Sequence, residues 1–306
     1  MIFACYHVDM RRWGPLAVIA VLLLPSPPAR ADAPLPKLEW DPAWHRVRPW
    51  EYVAGPAMVT GALVLRLAVP TADRNWQGGI LFDDAVIDAI AVRGEGARHA
   101  ILTMSDSMFF GAMGFRLVDS VLLPGLLHGS WDISLQMSFI DIEAFAVVAV
   151  VLWGSQIFVG RERPFVAVCR SDPEYAAHED CGATDDWNRS FIAGHPAVGV
   201  TAAALTCLHH SHMPLYGGGL GDDLACGLMI AAAAANGLSR ILAEKHYTSD
   251  VIFGTTLGLL AGYVIPKSLH YGWGTSPDSP EPGGLPAVIL PAISGDRIGL
   301  FVIGRL

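Results

Sequence analysis

Charge is scarce in this 306-residue chain. Only 16% of its residues are Asp, Glu, Lys or Arg, and the basic kind is the scarcer, 20 against 29 acidic. A protein that grips nucleic acid by neutralising phosphates needs the opposite balance, so that class is excluded. A hydrophobic share of 52% excludes disorder and fibrous repeats, and no repeat at solenoid periods is present. In three of the apolar stretches the uncharged span is short. A crossing helix needs about 20 mostly apolar residues, whereas the charge-free intervals run 17 residues between Glu143 and Arg161, 16 from Leu224 to Ser239 and 16 from Val251 to Pro266. Two placements stay open: a bundle in the membrane with its charges turned inward, or a very apolar periplasmic domain.

The chain begins with Arg11 and Arg12, the apolar run Leu16 to Leu24, a Pro-rich stretch and Ala29-Arg30-Ala31. That order reads as a secretory signal peptide over residues 1–31, with Met10 as a second candidate start. Its removal leaves 17 basic and 28 acidic side chains, a net charge of −11. Export also makes the remaining Cys169, Cys181, Cys207 and Cys226 candidates for disulfides, in any of three pairings. Cys169 and Cys181, twelve residues apart, are expected to pair, a closure worth about 3 kcal/mol in the chain-entropy account. Cys207 and Cys226 flank a turn and can pair likewise. With both pairs formed, the ends of the intervening helix are expected to face an oxidising space, which favours a non-spanning protein.

An entry segment, 32–50, carries Trp40, Trp44 and Trp50. Apolar stretches then recur at Tyr52 to Val69, Ala100 to Leu127, Phe139 to Val159, Ile192 to Leu208, Leu224 to Leu242 and Val251 to Ile265. They read as six helices of an all-α domain over 51–270. Residues 271–286 read as a Pro/Gly linker and 287–306 as a β-hairpin with Pro291 on an edge strand.

Three segments place Arg and His at helix mouths: Gly160-Arg161-Glu162-Arg163-Pro164, Ala193-Gly194-His195, and the run from Ser239-Arg240 through His246 to Asp250. In an up-and-down bundle all three lie at one end. Arg163 and Arg240 offer donors that never deprotonate, suited to a tetrahedral oxyanion. A helix opening at Gly194 adds backbone donors, so phosphate is the expected ligand. Asp250, four residues after His246, can hold one imidazole nitrogen and leave the other free to attack, while His195 serves as general acid.

These segments resemble the signature motifs of the type 2 phosphatidic acid phosphatase (PAP2) and vanadium haloperoxidase superfamily, K-x6-R-P, P-S-G-H and S-R-x5-H-x3-D. The third matches fully, from Ser239-Arg240 through His246 to Asp250. The resemblance implies a six-helix bundle of that type and a phosphatase acting on a phosphomonoester or diphosphate, with a lipid-like substrate offered by the apolar helices. It implies that Arg163, Arg240 and the Gly194 backbone bind phosphate, that His246 forms a phosphohistidine, that Asp250 orients it and that His195 protonates the leaving group. No cofactor and no metal is implied; vanadate would enter only in a haloperoxidase.

Two departures stand out. The lysine of the first motif falls on Gln156, and the Pro and Ser of the second on Ile192 and Ala193. The lost cation and hydroxyl together are worth about a hundredfold in rate, with Gln156 and Arg161 as candidate substitutes. A catalytically impaired envelope protein and a soluble periplasmic acid phosphatase are therefore the alternatives. Halide oxidation is less favoured, since vanadate would miss the same contacts.

Elsewhere, His209, His210 and His212 read as a solvated loop rather than a metal site. Asp106, Asp119, Asp141 and Glu143 read as partners of a buried Arg116 or of backbone groups. Asp172 to Asp186 reads as an acidic loop over the site. The expected location is the cell envelope, with the site on the periplasmic side of an inner membrane. Three full spans before Gly160 would put it on the other side, so one early segment, most easily the first or second, is expected not to cross.

Overall fold

The computed structural model describes residues 35–70, 76–182, 184–273, 288–294 and 297–303. The expected signal peptide and most of the expected linker lie outside them. Among the described residues there are nine α-helices rather than six. The long ones are α1 (Glu51–Ala68), α3 (Glu95–Leu117), α4 (Trp131–Val159), α7 (Gly194–His212), α8 (Leu220–Leu242) and α9 (Thr248–Leu259). Wide π turns extend α3 to Leu127 and recur after α9, within Leu260–Val264 and Lys267–Tyr271. The long helices cover the six apolar stretches. Three short helices, α2 (Asp83–Ile90), α5 (Pro164–Ser171) and α6 (Glu179–Gly182), were not expected, because so few turns leave no sustained apolar period to read. Near the C-terminus, Val288–Ser294 and Arg297–Ile303 run antiparallel, with Ser294 opposite Arg297.

Helix α4 starts eight residues before the apolar stretch that marked it, at Trp131. Its polar first turns are stabilised by tertiary partners: Ser134 Oγ donates to the Val121 carbonyl at 2.9 Å, and Gln136 Oε1 accepts the Val47 N–H at 2.8 Å. The entry segment is thereby fastened to the end of the bundle away from Gly160. Trp40, Val47, Met137, Leu208, Leu215 and Tyr271 form the main apolar cluster there.

Helix α7 is the central element, packed by α3, α4, α8 and α9. Its approach to α9 depends on three glycines four residues apart. A β-carbon on Gly254 would lie 2.4 Å from the Ala193 carbonyl oxygen, on Gly258 2.6 Å from that of Ala197, and on Gly262 2.6 Å from that of Thr201. Only hydrogen at these positions lets the two backbones come so close.

Large apolar side chains cover the outside. Phe110 and Leu117 on α3, Phe158 on α4, Leu220 on α8 and Phe253 on α9 are all exposed, from 49% to 79%. Among the described residues, four segments are long and apolar enough to cross a membrane: Glu95–Leu127, Trp131–Val159, Leu220–Leu242 and Thr248–Tyr271. Both disulfides are present, Cys169–Cys181 and Cys207–Cys226. The second ties α7 to α8 part-way along both helices, so it does not mark a helix end exposed to an oxidising space. The step from two disulfides to a non-spanning protein therefore fails, and the apolar exterior argues against it.

Candidate active site

Three chain reversals at one end of the bundle build the site. Gly160 ends α4 with φ 55°, a left-handed conformation that glycine adopts without strain. The next residues run extended beside Trp76, whose carbonyl accepts the Glu162 N–H. Arg163 is held extended by the following proline, which opens α5. Ala193 occupies the cap position of α7, and its N–H bonds to the Asp250 carbonyl. The α7 N-terminus, with its unsatisfied N–H groups, is thus tied to the first turn of α9.

Arg163, Gly194, His195, Arg240, His246 and Gln156 all line one cavity of about 690 Å³. From this cluster the cavity runs between α3 and α4, past Leu152, Val148 and Phe145 on one side and Phe109, Met113 and Leu117 on the other, to Ser138 and Asp141. Gln156 to Ser138 along α4 is about 27 Å. The cavity is therefore polar at its mouth and apolar along most of its length.

His246 is buried, and its Nδ1 lies 2.7 Å from the Ser190 carbonyl. A carbonyl only accepts, so Nδ1 carries the hydrogen and Nε2 keeps its lone pair. Burial first, then the Arg163 and Arg240 charges, hold this imidazole well below its ordinary pKa. It is a neutral base across the physiological range.

Asp250 reaches His246 only through Ser190. Its Oδ2 accepts the Ser190 hydroxyl at 2.6 Å and the Tyr247 N–H at 3.0 Å, while Oδ1 takes Arg161 Nη1 at 2.6 Å. The expected direct carboxylate–imidazole contact is replaced because Asp250 lies inward, capping α9, where Ser190 stands between the two. Arg161 corrects a second expectation. It is fully buried, bonded to Asp250, Asp83, Ser249 and the Gly78 carbonyl, and sandwiched between Trp76 and Tyr247 rings at 4.0 and 4.1 Å. It does not lie on the cavity wall and cannot stand in for the missing lysine; Gln156 does lie there.

His195 Nε2 is 3.0 Å from Asp106 Oδ1, and Arg240 Nη1 is 3.4 Å from the same oxygen. Asp106 was expected beside Arg116 or backbone groups, yet it faces the site, nearly three helical turns nearer the mouth than Arg116. Desolvation lowers the His195 pKa, Asp106 opposes that shift, and Arg240 adds to it. Arg163 is held by the Asp186 carboxylate at 2.9 Å and by the Asp186 and Lys245 carbonyls. The acidic loop thus meets the site through specific ion pairs. Its Asp180 bonds Lys245 at 2.6 Å and also Arg98, and these cations hold its carboxyl down at about 2. Burial, reinforced by Arg163, brings Lys245 down to about 8. Sequence reasoning missed Asp106, Ser190 and Lys245. Only Lys245, inside the third motif, carried a signal that could have drawn attention.

The opposite end holds a second charged cluster. Arg116 bonds Asp119 at 2.6 Å and Asp141 at 2.9 Å, as expected for those two aspartates. The three histidines are not in a loop: they form the last turn of α7. His209 lies 3.0 Å from Asp141, and His210 bridges Asp119 and Asp222 at 3.0 and 2.6 Å. Glu143 is not with Arg116 either, but 3.5 Å from His270.

A family model of the PAP2 superfamily matches residues 142–273 of the chain. That interval contains the α4 end, both loops and helices α7 to α9. Among solved structures, the chain resembles the first transmembrane PAP2 type phosphatidylglycerolphosphate phosphatase from Bacillus subtilis, with 17% identity, a TM-score of 0.44, and coverage of 69% of this chain and 93% of that one. None of the curated proteins compared matches it.

Proposed function

We propose that the protein is a membrane-embedded phosphatase that hydrolyses a phosphomonoester or diphosphate carried on a lipid-like molecule. The observation that carries this reading is the single cavity that joins the Arg163, His195, Arg240 and His246 cluster to a long apolar channel between α3 and α4. In the proposed reaction the phosphate sits between the two guanidiniums and the α7 N-terminus. The His246 Nε2 lone pair attacks phosphorus, the P–O bond to the leaving group breaks, and His195 gives that oxygen its proton. Water then attacks the phosphohistidine, returns a proton to His195 and releases inorganic phosphate and neutral His246. No cofactor is needed for these steps. Asp106 and Asp186 hold the binding cations until a substrate anion replaces them. The Cys169–Cys181 disulfide braces the loop at the mouth, which supports placing the mouth on the oxidising, periplasmic side.

The test is turnover by the purified full chain in micelles, using a long-chain alkyl phosphate and a short soluble one. The lipid is expected to react with at least a tenfold higher kcat/KM, with a phosphohistidine trapped in alkali and absent from His246→Ala. Equal kcat/KM would indicate a soluble-type acid phosphatase instead. A second reading, an impaired PAP2-fold protein, is favoured by Gln156 and by Ala193, which is wholly buried and carries no hydroxyl. Absence of turnover on both substrates would establish it.

A further inference from the structure

At the end of the bundle away from the cavity mouth, Glu51, Glu143 and His270 converge from three elements: the first turn of α1, the middle of α4 and the last π turn after α9. All three are buried, and one ligand atom from each lies within 4.8 Å of the other two. Two carboxylates taken out of water side by side repel strongly unless a cation joins them. The Arg48 guanidinium is 3.9 Å from Glu51 Oε1, and its side chain is 44% exposed. Its backbone N–H occupies the other oxygen of Glu51.

The unpaired atoms show what is missing. Glu51 Oε1 and His270 Nε2 are buried with no hydrogen-bond partner. His270 Nδ1 lies 3.2 Å from the His45 carbonyl and so carries the ring hydrogen, leaving Nε2 in neutral imidazole as a lone pair turned toward carboxylate oxygen. A histidine whose far N–H is fixed by a backbone carbonyl is the usual outer arrangement of a metal ligand. The alternative is a protonated His270 paired with Glu143. That pair should close to about 2.7–2.9 Å as a charge-assisted bond, but Nε2 and Glu143 Oε2 are 3.5 Å apart. Two donors bound to one tetrahedral ion at about 2.0–2.1 Å sit about 3.3–3.4 Å from each other, close to the distance seen.

We propose that Glu51, Glu143 and His270 bind a divalent transition ion of the zinc class. An imidazole with two carboxylates suits zinc, manganese or iron and is a poor set for calcium or magnesium. The ion's two charges neutralise the carboxylates, and water or the second oxygen of a carboxylate completes its shell. Glu143 is thirteen residues from Gln156, about 20 Å along α4, so the ion has no part in phosphoryl transfer. It pins the start of α1, the middle of α4, the chain after α9 and, through His45, the entry segment.

The test begins with tag-free full-length protein purified without chelators. Elemental analysis should find about one transition ion per chain, and X-ray absorption should show a shell of nitrogen and oxygen containing one imidazole. Removal of the ion by chelator should lower the melting temperature by several degrees, and Zn2+ should restore it. Glu143→Gln and His270→Gln, which keep side-chain shape, should lose both the ion and the response to Zn2+. A wild-type chain without a stoichiometric ion, whose melting is indifferent to Zn2+, Mn2+ and chelator, overturns the proposal. So does a shell with two or more imidazoles, or an ion retained by the folded variants. If the variants do not fold, stoichiometry and absorption on the wild type decide the matter.

Discussion

The two ends of the bundle bury similar numbers of charged side chains and use them differently. Around Arg116 each guanidinium nitrogen has a partner: Asp119, Asp141, Ser120 and Thr206 take all three. At the mouth, Arg240 has only long contacts at 3.4 Å through Nη1, and its buried Nε has no partner. Both ends touch the same cavity, but only the mouth has donors in reserve. Buried charge with complete partners stabilises one conformation. Buried charge with incomplete partners on a cavity wall leaves donors that a ligand's counter-charge can take.

The largest expected difference comes from substituting one residue at each end. His246→Ala should lower kcat by about 10⁴-fold or more, as loss of a nucleophile does, and leave the melting temperature nearly unchanged. Arg116→Leu should do the reverse. It strands two buried carboxylates and should cost about 3–5 kcal/mol of stability, seen as a lowered unfolding midpoint, with kcat retained in the folded fraction. A reversed pattern would erase the distinction between the ends.

His195 gives a sharper comparison within the mouth. An alkyl leaving group needs its proton and nitrophenolate does not, so His195→Ala should lose about 10²–10⁴-fold on alkyl phosphates and far less on an aryl phosphate. The pH profile follows in sign. His246 stays neutral into acid, whereas His195 is protonated only below its lowered pKa. Alkyl phosphate kcat/KM should therefore rise as pH falls through the region below 6.5, and aryl turnover should change little. Asp106 favours protonated His195, so Asp106→Asn should move this rise to lower pH. A flat profile on both substrates would remove His195 as the acid.

The smallest expected effect is a gain. Gln156 lies on the cavity wall where the superfamily motif has lysine, and Gln156→Lys with Ala193→Ser should raise kcat/KM about tenfold by adding donors to developing charge. Most of the gain should come from Gln156→Lys alone, because Ala193 is off the cavity wall. No change in the folded double variant would mean that existing donors already satisfy the phosphate.

The long helices and the residues at the mouth were legible because they depend on local signals: apolar runs, Pro after Arg163, Gly before His195, and a spaced S-R-x5-H-x3-D motif. Partner choice was not. The i,i+3 spacing pairs Asp119 with Arg116 locally, but nothing local says that Asp106 turns toward His195. Arg161 and Arg163 flank one residue, and a regular extended segment would put both on one face, yet one enters an aromatic sandwich and the other lines the cavity. The three histidines after Cys207 are polar enough to read as a loop. They form the last helical turn with partners from other segments: Asp141 for His209, Asp119 and Asp222 for His210, and Lys267 for His212.

The glycines of α9 and of the π turn after it act as an index between two packed helices. Each fits beneath one α7 carbonyl, and the residues between them carry β-carbons, so the helices can slide past each other only in whole four-residue steps of about 6 Å. Small adjustments are unavailable. The α7 N-terminus, which begins after Ala193, and the His246 loop, which leads into α9, therefore keep one spacing, and a β-carbon at Gly262, about 12 Å from Gly254, would press on the same seam. A joint outside the cavity thus sets the geometry of its mouth.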